Sequence, residues 1–270
     1  MFFSRFLAAL LLFFSLSSCV ERKRNSGAPE AAAPSGGGYF TDILSTVLHN
    51  AELPENISQK IQEGIAENPA FILDLFACLQ GDPFLRVLVD KEHPLGEDYA
   101  PLDLIELKDA SRRGLMLRAA AAASLGEMAA AARAEGHTLT ASSAYRSYEY
   151  QIQVYERNVR EMGKEAADRE SAAPGFSQHQ LGLTVDFGPI DDSFARTRES
   201  RWLAANASLF GWSLSYPADL EAVTGYRWES WHYRYVGREL AEFIDNYFDG
   251  IQQYGLRFIH EWERTVTSPE

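Results

Sequence analysis

Two stretches of the chain hold residues that can do chemistry together: Ser177-Gln-His-Gln-Leu-Gly-Leu-Thr-Val-Asp186 and, downstream, Glu229-Ser-Trp-His232. They carry two imidazoles and two carboxylates on segments whose neighbours are apolar, aromatic or glycine. A zinc ion kept open for catalysis takes three protein ligands and leaves a fourth position for water or substrate. His179, Asp186 and His232 supply an N/N/O set suited to one Zn²⁺ per chain. That leaves Glu229, and a carboxylate beside such a site is the ordinary general base of a metallohydrolase. If Leu183–Phe187 is a strand, Asp186 shares a face with Thr184, and Leu183, Val185 and Phe187 pack on the other. Gly182 and Gly188 mark places where the backbone must turn or approach something closely. The run Trp228-Glu-Ser-Trp-His-Tyr-Arg-Tyr235 surrounds its polar residues with aromatic ones, as a dry site requires. A structural histidine pair is the alternative reading of the same residues.

The elements around these stretches follow from their punctuation. Phe84–Val89 reads as a strand leading into a loop that ends near Leu104. Leu115–Glu135 reads as a long alanine-rich helix stopped by Gly136, its small face allowing close approach to a sheet. Thr138–Arg146 alternates toward a strand, and Tyr148–Met162 reads as a helix ended by Gly163. Ser200–Phe210 is then a helix, Trp212–Tyr216 a strand, and Tyr226–Tyr235 its partner. On an extended segment Glu229 and His232 point to opposite faces, so a bulge or turn must separate them if both reach one metal. Arg238 to about Val266 forms a closing amphipathic helix, interrupted near Gly250 or Gly255.

Ahead of this lie three further segments. Residues 1–18 read as a signal peptide: Arg5, then Phe6–Phe14 without a polar residue, too short to span a bilayer. The segment ends in Leu16-Ser-Ser-Cys19, which resembles a bacterial lipobox and implies lipidation of the Cys19 thiol. A plain signal peptide with a chance cysteine is the alternative. Residues 19–38, rich in Ala, Pro, Ser and Gly, read as a flexible tether, and 39–83 as two or three short helices. The expected location is therefore the cell envelope, anchored to a membrane by the N-terminal lipid and facing the periplasm or exterior. A formal net charge of −13 argues against a nucleic-acid partner. With Cys19 lipidated only Cys78 remains, in an apolar run, so no disulfide framework is available.

Four stretches together resemble the VanY-type D-alanyl-D-alanine carboxypeptidases, zinc peptidases of the bacterial cell wall that share the hedgehog/D,D-peptidase fold. They are Leu88-Val-Asp-Lys-Glu-His-Pro-Leu with Asp98-Tyr-Ala-Pro-Leu-Asp-Leu104, then Ser143-Ala-Tyr-Arg-Ser-Tyr148, the Ser177–Asp186 stretch, and Glu229-Ser-Trp-His-Tyr-Arg-Tyr-Val-Gly237. The resemblance implies an α+β domain over residues 84–262, a mainly antiparallel sheet packed by helices, with residues 39–83 as a helical N-terminal extension. It implies removal of a terminal D-alanine from peptidoglycan stem peptides, with His179, Asp186 and His232 on zinc and Glu229 as base. Arg146 would face the active site, where a guanidinium can bind a substrate carboxylate or a developing oxyanion. Gln151, one turn on, is a further candidate for substrate contact; Ser177 is another, with turn capping as its alternative. An L,D-carboxypeptidase acting on tetrapeptide stems, or a wall-binding lipoprotein without turnover, are the competing readings. The serine-enzyme signatures S-x-x-K and G-x-S-x-G are absent, as is H-E-x-x-H, and His49, His93, His137 and His260 fall outside the constellation.

Overall fold

The computed structural model describes residues 36–67, 70–108 and 113–267. The expected signal peptide, Cys19 and nearly all of the tether lie outside these residues. The helices are α1 Gly36–Asn50, α2 Glu55–Glu67, α3 Ala70–Gln80, α4 Ala119–Ala134, α5 Tyr148–Met162, α6 Lys164–Glu170, α7 Arg198–Asn206, α8 Glu221–Thr224, α9 Arg238–Tyr247 and α10 Gln252–Thr267. The strands are β1 Leu104–Glu106, β2 Met116–Arg118, β3 Ala141–Ser143, β4 Thr184–Phe187, β5 Trp212–Leu214 and β6 His232–Tyr235. β1 and β2 form a small hairpin-like pair, while the other four form an antiparallel sheet in the order β3-β4-β6-β5. The fold is α+β, as the resemblance implied.

The sheet has one apolar and one polar face because its strands alternate. Val185, Phe187, Tyr233 and Trp212 point into a core completed by Ala121, Leu125 and Met128 of α4 and by Trp202 and Leu203 of α7. α4 places these residues at helical spacing on one side, and its alanines let it lie close to the strands. Fully burying side chains of this size stabilises by about 1.5–3 kcal/mol each. The opposite face carries Asp186 and Thr184 on β4 with His232 and Arg234 on β6.

A second core joins the N-terminal helices to the C-terminal ones. Phe71 of α3 sits at its centre, with its ring 5.3 Å from Phe243, 4.8 Å from Tyr247 and 5.7 Å from Phe258. The extension is thus one wall of a core whose other wall is α9 and α10. Phe71→Ala is expected to lower unfolding stability by about 3–5 kcal/mol, the usual cost of a large aromatic cavity. Urea denaturation checks this, and a loss under 1 kcal/mol would mean the extension is not integral.

Three sequence expectations need correction. Phe84–Val89 is not a strand: Asp82 caps a 3₁₀ turn at Pro83–Arg86, its carboxylate accepting from Phe84 N at 3.0 Å. The carbonyls of Leu85 and Val87 then accept from Arg234 Nη2, at 3.1 and 2.7 Å, instead of from a neighbouring strand. The long helix begins at Ala119 because Met116–Arg118 pairs with Leu104–Glu106. The closing helix, by contrast, breaks where expected, at Asp249-Gly250 where both residues take positive φ, and its second half runs to Thr267. The first helix also starts inside the expected tether, at Gly36. Within the Leu88–Leu95 stretch, Asp90 is structural. It accepts from the backbone N–H groups of Glu92 (2.9 Å) and His93 (3.1 Å) and from Gln253 of α10 (2.6 Å).

Candidate active site

The polar sheet face brings the candidate ligands together through strand register. Asp186 lies opposite His232 across the β4–β6 pair and opposite Ser143 across β3–β4. Residues directly opposite in an antiparallel pair share a face, with Cβ atoms about 4.5–5.5 Å apart. His179 arrives from the 3₁₀ turn Gln178–Leu181, which Gly182 ends in the left-handed region at φ 68°. A side chain at Gly182 would also press on Leu104, and one at Gly188 would run into Ser142 Oγ. Both glycines therefore permit the close approach their positions called for.

The geometry is that of a metal site. His179 Nε2 lies 3.1 Å from Asp186 Oδ2, and His232 Nδ1 lies 3.1 Å from Asp186 Oδ1. One donor atom from each of the three residues falls within 4.8 Å of the others, and all three side chains are buried. Asp186 Oδ1 is buried without a hydrogen-bond partner. A buried carboxylate oxygen left so is costly unless a cation completes it, and the two-imidazole, one-carboxylate set fits zinc. Burial, helped by the Arg146 charge, pushes the His179 imidazole down to about 4, so it is neutral and ready to ligate. Asp186 is held ionised: burial opposes this, but His179 and His232 together keep it well below the ordinary carboxylate range. Burial likewise opposes charge on His232, yet the Asp186 and Glu229 carboxylates beside it raise it to about 9. Metal uptake must displace that proton.

Each imidazole is fixed by its other nitrogen. His179 Nδ1 donates to the Ala144 carbonyl at 2.7 Å, leaving Nε2 for the metal. His232 Nε2 faces Gln178 Oε1 at 3.3 Å, leaving Nδ1. Gln178 Oε1 also accepts from Ser215 Oγ at 2.7 Å; its amide donates to Gln252 Oε1 (3.3 Å), and Gln252 donates to Ser213 O (3.1 Å). The amide is thereby oriented from α10, and all three polar side chains are buried. Such outer partners of a ligating histidine tune its tautomer and basicity. Gln178→Leu is expected to weaken zinc affinity about 10–100-fold without unfolding the protein. Chelator competition with circular dichroism as control would test it; an unchanged affinity would remove Gln178 from this role.

Glu229 reaches the same point by the turn its spacing demanded. His232 N donates to Glu229 O at 3.2 Å, closing the turn that enters β6, and Glu229 Oε2 lies 3.3 Å from His232 Nδ1. Burial pushes the Glu229 carboxyl up, with His232 working the other way. Arg146 also lines the cleft. Its Nη1 donates to Gln151 Oε1 at 2.8 Å and its Nη2 to Ser143 Oγ at 3.1 Å, while Nη2 stands 3.8 Å from Asp186 Oδ2.

Of the two further candidates, Gln151 departs from expectation and Ser177 does not. Gln151 is fully buried, with its carbonyl spent on Arg146 and its amide donating to Ala172 O at 2.6 Å. It positions the guanidinium, and the expectation that it meets substrate is corrected. Ser177 caps the 3₁₀ turn, accepting from His179 N at 3.3 Å, and it also lines the cleft. Sequence reasoning missed Gln178, Ser215 and Gln252. Gln178 lies inside the motif, but its partners come from distant segments and carry no local signal. The cleft over these residues is a cavity of about 420 Å³, lined by residues of α5 and by Tyr226, Arg227 and Trp231. A volume of that order suits a short peptide end. Outside it, His93 and His260 meet edge to face at 4.9 Å and His137 stands 3.8 Å from Glu199, away from the metal group.

Comparison with known proteins agrees with this geometry. Residues 114–238 match the VanY family model, described as D-alanyl-D-alanine carboxypeptidase. A D-alanyl-D-alanine carboxypeptidase of Enterococcus faecalis is 33% identical over 221 residues, covering 77% of this chain and 80% of that protein. The solved LdcB LD-carboxypeptidase is 34% identical with a TM-score of 0.56, over 61% of this chain and 85% of its own. A vancomycin-resistance D,D-pentapeptidase VanY variant solved with Zn(II) is 34% identical with a TM-score of 0.54, over 62% and 96%.

Proposed function

The chain belongs to the VanY family of D-alanyl-D-alanine carboxypeptidases, and from that premise we propose that it removes the terminal D-alanine of peptidoglycan stem peptides as a zinc metallopeptidase. The observation that carries the reading is the buried His179, Asp186 and His232 group with an unpartnered Asp186 oxygen and Glu229 beside it. Those three residues would hold the metal, which would supply Lewis acidity at the cleft. Glu229 takes the proton of the attacking water and returns it to the departing D-alanine nitrogen, so the carboxylate ends each turnover as it began. Arg146, held by Gln151 and Ser143, binds the terminal carboxylate of the substrate. Ser177, which lines the cleft, offers a hydrogen bond to substrate.

Digestion of purified muropeptides by the zinc-loaded soluble domain, read by mass spectrometry, tests this. Pentapeptide stems should lose one D-alanine. Loss from tetrapeptide stems instead would favour the L,D-carboxypeptidase reading, which the likeness to LdcB supports. Binding without any cleavage would leave a wall-binding lipoprotein.

The same proposal extends to location. A Cys19 lipid anchor in the cell envelope, followed by a tether, is supported by the apolar Phe6–Phe14 run and Leu16-Ser-Ser-Cys19. Within the described residues no helix is long and apolar enough to cross a membrane. Labelling with a clickable fatty acid that survives Cys19→Ala would overturn the anchor.

A further inference from the structure

The wall of the cleft formed by α5 holds a cation that the chemistry above does not use. Tyr150, Val154, Arg157, Asn158 and Met162 line the cleft at helical spacing, leading away from Arg146. Among the described residues, three arginines border the cavity. Arg146 leans on Asp186, and Arg227 is held by Glu170 at 3.0 Å and Asp192 at 2.7 Å. Arg157 is exposed, and among the described residues no carboxylate lies within ion-pair distance of it. Its neighbour Arg160, by contrast, pairs with Glu156 at 3.8 Å. A solvated arginine is unremarkable on an open surface, but this one borders a site built for a peptide.

Distance along the helix says which part of the peptide it meets. Gln151 touches Arg146 and lies six residues before Arg157, which at 1.5 Å per residue is about 9 Å of helix. An extended peptide advances about 3.3 Å per residue. With the terminal carboxylate on Arg146, the residue two before the terminus lies roughly 7 Å back along the same wall. Its side chain is then within reach of Arg157 and of the Asn158 carboxamide. In a stem ending in D-Ala-D-Ala that residue is the diamino acid.

Resting on the carboxypeptidase reading, we infer that Arg157 and Asn158 form a subsite for a diamino acid whose side chain ends in an amino-carboxylate, as in diaminopimelate. The guanidinium takes the carboxylate, and the Asn158 carbonyl accepts from the adjoining ammonium. Lysine at the same place offers only the ammonium. A second carboxylate in such stems, on the γ-linked D-glutamate, lies one residue farther from the scissile bond and beyond the Arg157 position.

The test uses four synthetic pentapeptides that differ only at stem positions two and three: lysine, diaminopimelate, side-chain-amidated diaminopimelate, and diaminopimelate with D-glutamate amidated. Affinities are measured by calorimetry on the zinc-loaded Glu229→Gln protein, and kcat/KM on the wild type. The diaminopimelate peptide should bind about tenfold more tightly than the lysine and side-chain-amidated peptides, the size of one charge-assisted hydrogen bond. Arg157→Gln should bring those ratios to about one, and Arg157→Lys should restore part of the preference. Equal affinities for all four peptides, or a ratio unmoved by Arg157→Gln, would overturn the inference. A preference that follows amidation of the glutamate would overturn the placement at position three. If no peptide is turned over by the wild type, the carboxypeptidase reading fails, and the affinity ratios still decide the subsite.

Discussion

Glu229→Gln is expected to retain its zinc and lose about 10²–10⁴-fold in kcat, the range a positioned general base contributes. The amide keeps the shape and burial of the carboxylate at the turn into β6, but it cannot accept a proton from water. Because the base acts in the transition state, kcat and kcat/KM should fall together with little change in KM. His232→Ala should behave differently. It removes a ligand atom that faces Asp186 at 3.1 Å, so metal content and activity should both be lost. Metal analysis beside steady-state kinetics separates the two variants. If Glu229→Gln turns over at near wild-type rate, another group moves the proton, and the 3.3 Å contact to His232 serves only to orient the imidazole.

The candidate metal group was legible in the sequence because short-range rules bring its residues together. Strand alternation set Asp186 on the face opposite Val185 and Phe187, and the register of β4 against β6 put His232 directly across from it. The need for a turn between Glu229 and His232 followed from spacing alone, and the His232 N to Glu229 O bond supplies it. The helix Tyr148–Met162 was readable at both ends, with Ser147 as its cap and Gly163 in positive φ as its stop. What failed depended on tertiary partners. Phe84–Val89 has a strand's composition, but the buried Arg234 guanidinium claims two of its carbonyls. Gln151 was close to the site in sequence, yet Ala172 and Arg146 consume both ends of its amide. The Gln178–Ser215–Gln252 chain joins three segments far apart in sequence, and no periodicity in any of them marks it. Likewise, nothing in the extension itself shows that Phe71 would meet Phe243, Tyr247 and Phe258 from the other end of the chain.

Arg146 divides an exopeptidase from an endopeptidase, and amidating the terminal D-alanine is expected to reduce wild-type kcat/KM by at least about a hundredfold. A carboxypeptidase must recognise a free carboxylate, and leaving a buried charge without its partner costs about 3–5 kcal/mol. The Arg146 side chain is only 16% exposed. Burial pulls its pKa down, while Asp186 and Glu229 pull it back up. Gln151 and Ser143 take one N–H from each terminal nitrogen and so fix the plane of the fork. Lysine cannot reproduce that plane or its paired donors, and Arg146→Lys should also lose most of its kcat/KM on the free acid. If the guanidinium served only the developing oxyanion, the variant would lose equally on free-acid and amidated peptides. Equal wild-type rates on the two peptides would count against terminal recognition altogether. The geometry favours the carboxylate: at 3.8 Å the approach to Asp186 is too long for a hydrogen bond. The remaining N–H groups of Arg146 are therefore unspent beside the metal group, and an incoming anion in the cleft is what would satisfy them.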